Sequence, residues 1–423
     1  MWPKLTRALE WGLWLGVAAL LPITSLPQVS RLFGGSMVAP PSAVLLLGLV
    51  VIYLVPAWIK GAALPRQSLP LFGFAMIALA ASLGAYFLDF PMFREANFTR
   101  NMLKAGLTLA IGICAYLVSA TWAADERRLR AILRWINWSG LVMLAWALVQ
   151  AYYARIDSYP DWMDRLQGIW SINSMFFKRP VGFAFEPSWL AHQLNMLYLP
   201  LWMAATVRRS SAHTLRLLGR KAHPGEGITF ENILLVGGVA VLWLTISRVG
   251  LLAFLLTIAY LLILANLWLV GWLQKQLIPR LRLGQRWQRL AGPLMRLILI
   301  LLVIIVYAGI LFGAAQVMVR MDPRMARLFE FDVIREQGLL VYANQLVFAE
   351  RIVFWQVGWE VFNDHPWLGV GLGNAGYFYP EKMSGYGWAL TEVNQMIYRD
   401  TALPNTKSLW TRLLAKVHTK LIG

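Results

Sequence analysis

Charged residues are scarce in this chain. Asp, Glu, Lys and Arg make up 14% of its 423 residues, where a soluble domain carries about a quarter. That deficit excludes the two or three soluble domains that length alone would suggest. Cysteine is nearly missing. Cys114 stands alone inside an apolar run, which excludes an intrachain disulfide and any cysteine-rich metal site. No internal repeat or low-complexity tract interrupts the sequence. No cleavable-signal pattern opens it either, because the first apolar run is followed by many more.

Apolar residues fill the space. They amount to 58% of the chain, with a mean hydropathy of +0.56. They come in runs of roughly 18 to 25 residues, about the length that crosses a bilayer core. The runs predict about nine spans, at 9–26, 42–58, 69–88, 102–122, 131–154, 187–206, 230–246, 249–273 and 294–316. A further span starts near 407 and is cut short by the chain end. Twenty-one Trp residues, many at run ends, match interfacial anchoring. The predicted fold class is all-α: a polytopic transmembrane helical bundle over 1–316, a large and partly helical extracytoplasmic loop over 317–406, and the start of a truncated span over 407–423.

The net charge of +18 would raise nucleic-acid binding in a soluble protein. Here the basic residues sit in short links between spans and no basic stretch belongs to a base-reading module, so nucleic acid is not expected as a partner. Lys4 and Arg7, Lys60 and Arg66, and the arginine clusters beginning at Arg127, Arg208 and Arg280 all fall on one side. The positive-inside rule makes that side, and the N-terminus, cytoplasmic, with anionic lipid headgroups as neighbours.

The outer segment 317–406 is too long for a connector and carries Trp355, Trp359, Phe362 and Trp367. Helical spacing in Glu350–Phe362 predicts an amphipathic helix, ended by Asn363-Asp364 and Pro366. His365 follows it, in NDHPWLGVGLGN. A histidine titrates near neutrality and can take a proton from a hydroxyl; an ordinary His-Pro turn explains it equally well. The alternating glycines at 369, 371 and 373 permit tight turning and close approach to a ligand. They are not a dinucleotide fingerprint, since no strand precedes them.

Other candidates are cationic. Arg248, in TISRVG, stands between two apolar runs on the outer side, where it either snorkels or meets an anion such as phosphate. Lys178 and Arg179 add outer positive charge. Glu186-Pro187-Ser188 reads as a helix start, with Glu186 suited to the N-terminal dipole. His192, one turn further, reads as a packed histidine. Arg320, Arg324 and Arg327 follow the ninth run, and Arg351 lies upstream of His365. Each either neutralises a phosphate or is solvated or paired. Glu330 and Asp332 are spaced i, i+2, but nothing nearby completes a metal-ligand set.

The combination of GFAFEPS at 182–188, TISRVG at 245–250, and the Arg351–Asn374 stretch of Arg, Trp, Trp, Phe and His-Pro leading into LGVGLGN resembles the O-antigen ligase and polymerase family of bacterial membrane glycosyltransferases. PNTKSLWTRLLA, Pro404 to Ala415, resembles the Asn-Thr start of that family's next helix. The resemblance implies transfer of a glycan from an undecaprenyl-diphosphate carrier, at the outer face of the inner membrane. The acceptor would be another glycan, a lipid-core sugar or a protein, in cell-surface polysaccharide assembly. It further implies His365 as general base and Arg248 as partner of the diphosphate. Arg179 and Glu186 would be substrate-binding residues, and a second loop arginine is expected, for which Arg320, Arg324 and Arg351 compete. Neither a cofactor nor a metal is expected. A metal-dependent multi-spanning transferase would be expected to carry an acidic pair in its first outer loop; 27–41 has no Asp or Glu. The family continues past the Asn-Thr segment with further spans, whereas this chain ends in LLAKVHTKLIG, as a truncated or frame-shifted product would. The remaining alternatives are a polysaccharide or lipid-linked-sugar flippase and a non-catalytic truncated assembly subunit.

Overall fold

A computed structural model describes residues 2–32, 38–156, 159–176, 178–213, 228–277, 285–321, 327, 330–346, 348–399 and 403. Each of the nine apolar runs is helical. The helices are Trp2–Leu20, Pro41–Ile59, Leu69–Gly84, Phe98–Trp122, Glu126–Arg155, a continuous segment over 187–207, Phe230–Leu244, Arg248–Leu277 and Gln285–Met321. Five stretches are long and apolar enough to cross a membrane: Pro41–Ile59, Arg66–Phe87, Phe98–Trp122, Glu126–Arg155 and Arg248–Trp272. Among the described residues there are isolated bridges but no strand. The chain is an all-α, multi-pass membrane protein.

Local chemistry explains several helix boundaries. Asp125 caps Glu126–Arg155, accepting from the amides of Arg127 at 2.7 Å and Arg128 at 3.3 Å. Thr229 caps Phe230–Leu244 through the Asn232 amide at 3.3 Å. Two helices widen into π turns, at Val50–Leu54 and Leu194–Tyr198. Pro56 and Pro200 each stand two positions after the π turn ends. A proline has no N–H for the preceding turn and its ring crowds the carbonyl four residues back, so the ladder locally loosens.

The chain forms two units. One comprises 1–56 and 122–317; the other comprises 57–121 and 318–423.

In the first unit, Trp202 is fully buried between two glycines. A Cβ on Gly140 would stand 2.7 Å from its Cζ2, and one on Gly238 would stand 2.7 Å from its Cζ3. Small residues let helices approach closely in this way inside a membrane. The indole N–H donates to Asn137 Oδ1 at 3.0 Å, and the Asn137 amide donates to the buried Glu231 carboxylate at 2.9 Å. Glu231 also accepts from Ser211 Oγ at 2.7 Å and the Ala212 amide at 2.9 Å. A buried carboxylate is tolerable only with such partners.

In the second unit, the core gathers around Val353, Phe354, Val357 and Val361 of the Ala349–Asp364 helix, with Val370, Tyr377 and Tyr379 from the chain that follows. Their three- and four-residue spacing puts one helix face inward, while Trp355 and Trp359 are exposed on the other. The segment expected as a partly helical loop holds the α-helices Asp332–Gln337, Leu339–Gln345 and Ala349–Asp364, followed by short helical segments through 399. The Ala349–Asp364 helix ends at the Asn363-Asp364 stop expected of it, with His365 as its C-cap residue and Pro366 next. The expected span start at 407, and Pro404–Ala415 with it, lie outside the described residues.

Candidate active site

His365 is the residue at which the Ala349–Asp364 helix stops. Its φ and ψ of −126° and 59° leave the helical region, yet its amide still donates to the carbonyls of Val361 at 3.1 Å and Phe362 at 3.2 Å. Its carbonyl accepts from the Gly369 amide at 3.0 Å. The backbone is therefore pinned on both sides. The half-buried ring packs on Phe378 with centroids 5.2 Å apart. Burial pushes the imidazole below its ordinary value of 6.5, the Asp364 carboxylate opposes that shift, and the Lys382 ammonium adds to it. Burial thus favours the neutral ring, the form that can accept a proton.

The glycine loop after His365 is built for close packing. Gly369, Gly371 and Gly373 all have positive φ, at 66°, 76° and 82°. A Cβ on Gly371 would stand 3.1 Å from Ser82 Cα, and one on Gly373 only 2.8 Å from the Asn101 carbonyl oxygen. Only glycine combines that conformation with that clearance. The Leu372 amide donates to Ser82 Oγ at 3.2 Å, and Asn101 Nδ2 donates to the Tyr377 hydroxyl at 3.3 Å. The loop is thus held against the helices Leu69–Gly84 and Phe98–Trp122 of the same unit. Lys382 closes the arrangement from the other end through an ion pair with Asp364.

In the first unit, Arg248 is the first residue of the Arg248–Leu277 helix, one residue before the run expected at 249–273. Ser247 Oγ accepts from the Gly250 amide at 3.3 Å, and the Ser247 carbonyl from the Leu251 amide at 2.8 Å. The positive helix end and a guanidinium therefore share one place, a combination that attracts anions. Ile246 has φ of +49°, a region a β-branched side chain rarely enters. Its neighbours hold it there. Arg179 Nε donates to the Thr245 carbonyl at 2.8 Å, and Asn195 Nδ2 to the Gly250 carbonyl at 2.8 Å. Arg179 is thereby brought to the turn that carries Arg248.

Glu186 occupies the N-cap position before Pro187–Gln193, with Pro187 in the first turn. Its side chain makes no capping bond and instead accepts from Ser188 Oγ. His192 is exposed, not packed. Arg320 is exposed at the end of the Gln285–Met321 helix, and Arg324 lies outside the described residues. Arg351 stands over the Phe348 ring at 5.6 Å, in the first turn of the helix that ends at His365. Fourteen residues of helix separate the two, about 21 Å at the standard rise. The structure does not bring Arg351 to His365. Glu330 and Asp332 are both exposed, and among the described residues no three His, Cys, Asp or Glu side chains cluster.

Two contributors escape a reading of the sequence. Gln150 is fully buried. Its Oε1 accepts from the amides of Val181 at 2.9 Å and Gly182 at 2.7 Å, while Nε2 donates to the Gly182 carbonyl at 3.2 Å. It clamps the loop that presents Arg179 and Glu186. A lone glutamine inside an apolar run was the available signal, because buried polar groups in a membrane need partners. Lys382 is the other; it lies 17 positions after His365 and nothing local ties it to that residue.

Residues 233–397 match the family model described as O-Antigen ligase. The match takes in Arg248, His365 and the whole glycine loop. No curated protein and no solved structure gives a match. Over residues 233–397, then, the chain is similar to the O-antigen ligase family.

Proposed function

We propose that the chain is a glycosyltransferase that moves a glycan from undecaprenyl diphosphate to an acceptor hydroxyl at the outer face of the inner membrane, as a ligase or polymerase of cell-surface polysaccharide. The N-terminus faces the cytoplasm, 1–316 forms the membrane bundle, and 317–406 lies on the outer side. The observation that carries this reading is a backbone-pinned histidine within a stretch matching the O-antigen ligase family, a stretch that also contains Arg248.

The chemistry asks little else. The acceptor O–H gives its proton to an imidazole nitrogen of His365 while its oxygen forms a bond to the donor's anomeric carbon. The bond from that carbon to the phosphate oxygen breaks, and the electron pair leaves with undecaprenyl diphosphate. Diphosphate is a good leaving group, so orientation and charge neutralisation supply most of the acceleration. Arg248 neutralises it, with Arg179 beside the same turn and Glu186 on the same loop. Arg320 and Arg324 are further phosphate candidates; Arg351, at the far end of its helix, does not touch the base. Acceptors are a glycan, a lipid-core sugar or a protein.

Release of free undecaprenyl diphosphate tests the reading. Purified protein in proteoliposomes receives a lipid-linked glycan and rough lipopolysaccharide. Glycosylated acceptor together with released carrier supports transfer. Glycan lipid that changes leaflet with its glycosidic bond intact overturns it in favour of a flippase.

A further inference from the structure

The helix Glu126–Arg155 leaves one face exposed from its first turn to Val149. Its buried side runs through Ile136, Gly140, Met143, Ala147 and Gln150. On the opposite side Arg127, Arg134, Trp138, Val142, Ala145 and Val149 follow one another at spacings of three, four or seven residues, and all six are exposed. Those spacings make one stripe along a helix. The stripe is ordered by chemistry: cations first, then a tryptophan, then small and aliphatic side chains. Trp138 is held at its level by Phe230, with ring centroids 5.3 Å apart. From Trp138 to Val149 is about 16 Å at the standard rise, about half of a bilayer's hydrocarbon core and so the depth of one leaflet.

At the head of the stripe is a cavity of about 280 Å³, lined by Glu126, Arg127, Arg130, Ala131 and Arg134. Three guanidinium groups there face one carboxylate. Glu126 pairs with Arg130, and Arg134 Nε donates to the Ala212 carbonyl at 2.6 Å, which fixes one edge. Asp125 is turned to the backbone, where it accepts from the amides of Arg127 and Arg128. The cavity is therefore net cationic, and guanidinium forks suit phosphate oxygens. Any basic link attracts anionic lipid in a general way. Here the cationic cavity continues into an apolar stripe of leaflet depth, a feature that a lipid uses and a soluble phosphate does not.

We propose that this cavity binds the phosphate headgroup of an anionic phospholipid, with an acyl chain lying along the stripe from Trp138 to Val149. The proposal does not depend on the transferase reading.

Native mass spectrometry of the full chain in detergent tests it, with phosphatidylglycerol as the anionic lipid and phosphatidylcholine as the neutral one. Wild type is compared with Arg127→Gln/Arg130→Gln and with Arg208→Gln/Arg209→Gln, which removes the same charge from another pair. All four side chains are exposed, so both variants should melt near wild type. Wild type is expected to hold phosphatidylglycerol at least about tenfold more tightly than phosphatidylcholine. The first variant should lose that preference and the second should keep it. No preference in wild type, or equal loss in the two variants, overturns the proposal. Glycerol phosphate that competes as well as the lipid does would assign the cavity to a soluble phosphate and overturn it too.

Discussion

Alanine at Gly373 should damage the fold by two separable effects. The first is backbone strain: φ is +82°, and an L side chain in that region costs about 1–2 kcal/mol. The second is steric. The new Cβ would sit 2.8 Å from the Asn101 carbonyl oxygen and 3.1 Å from Ala105 Cβ. The carbonyl belongs to a helix backbone and cannot step aside, so overpacking adds about 1–3 kcal/mol. Together the loss is roughly 2–5 kcal/mol. Gly338 provides the control for strain alone: its φ is +93°, and a Cβ added there would meet nothing within 4 Å. Gly338→Ala should lose only about 1–2 kcal/mol. Gly385, with neither positive φ nor a neighbour, should tolerate alanine to within about 0.5 kcal/mol. Thermal unfolding in detergent ranks the three. Gly373→Ala melting no lower than Gly338→Ala would refute the close approach of the loop to the Phe98–Trp122 helix.

Four other outcomes are expected. The acid limb of the transfer rate should fall below pH 6.5, since burial lowers the pKa of His365 and the base works only when unprotonated; a limb above 6.5 in kcat/KM profiles contradicts that. Lys382→Ala removes a cation that lowers the His365 pKa and unpairs Asp364, which raises it, so the limb should move to higher pH in the same profiles. Gln150→Leu strands the Val181 and Gly182 amides and should cost about 2–5 kcal/mol, read as a fall in melting temperature. Arg248→Lys keeps the charge but loses the fork that fits phosphate, so transfer should fall while melting stays near wild type.

Much of the helical frame was legible because membrane-length apolar runs leave few other solutions. All nine runs became helices, and the Glu350–Phe362 spacing foretold the helix, although Trp355, Trp359 and Trp367, which suggested packing, are exposed. The His-Pro stop and the alternating glycines also stood out, since both residue types mark backbone requirements. What stayed hidden depends on distant partners. Gln150 acquires meaning only when Val181 and Gly182 fold onto it, and Lys382 only when its turn returns to Asp364. The strain at Ile246 runs against the residue's own preference, so local propensity pointed away from it. Arg351 shows how far helical rise carries a residue from one nearby in sequence: it stands about 21 Å from His365 along the helix.

The most direct test is glycan transfer in membranes from an undecaprenyl-diphosphate-linked donor, comparing wild type with His365→Ala and Arg248→Ala at matched expression. Product from wild type and loss of at least about a hundredfold in each variant is the expected result. Transfer by both variants at the wild-type rate would contradict the assignment of His365 as base and Arg248 as diphosphate partner.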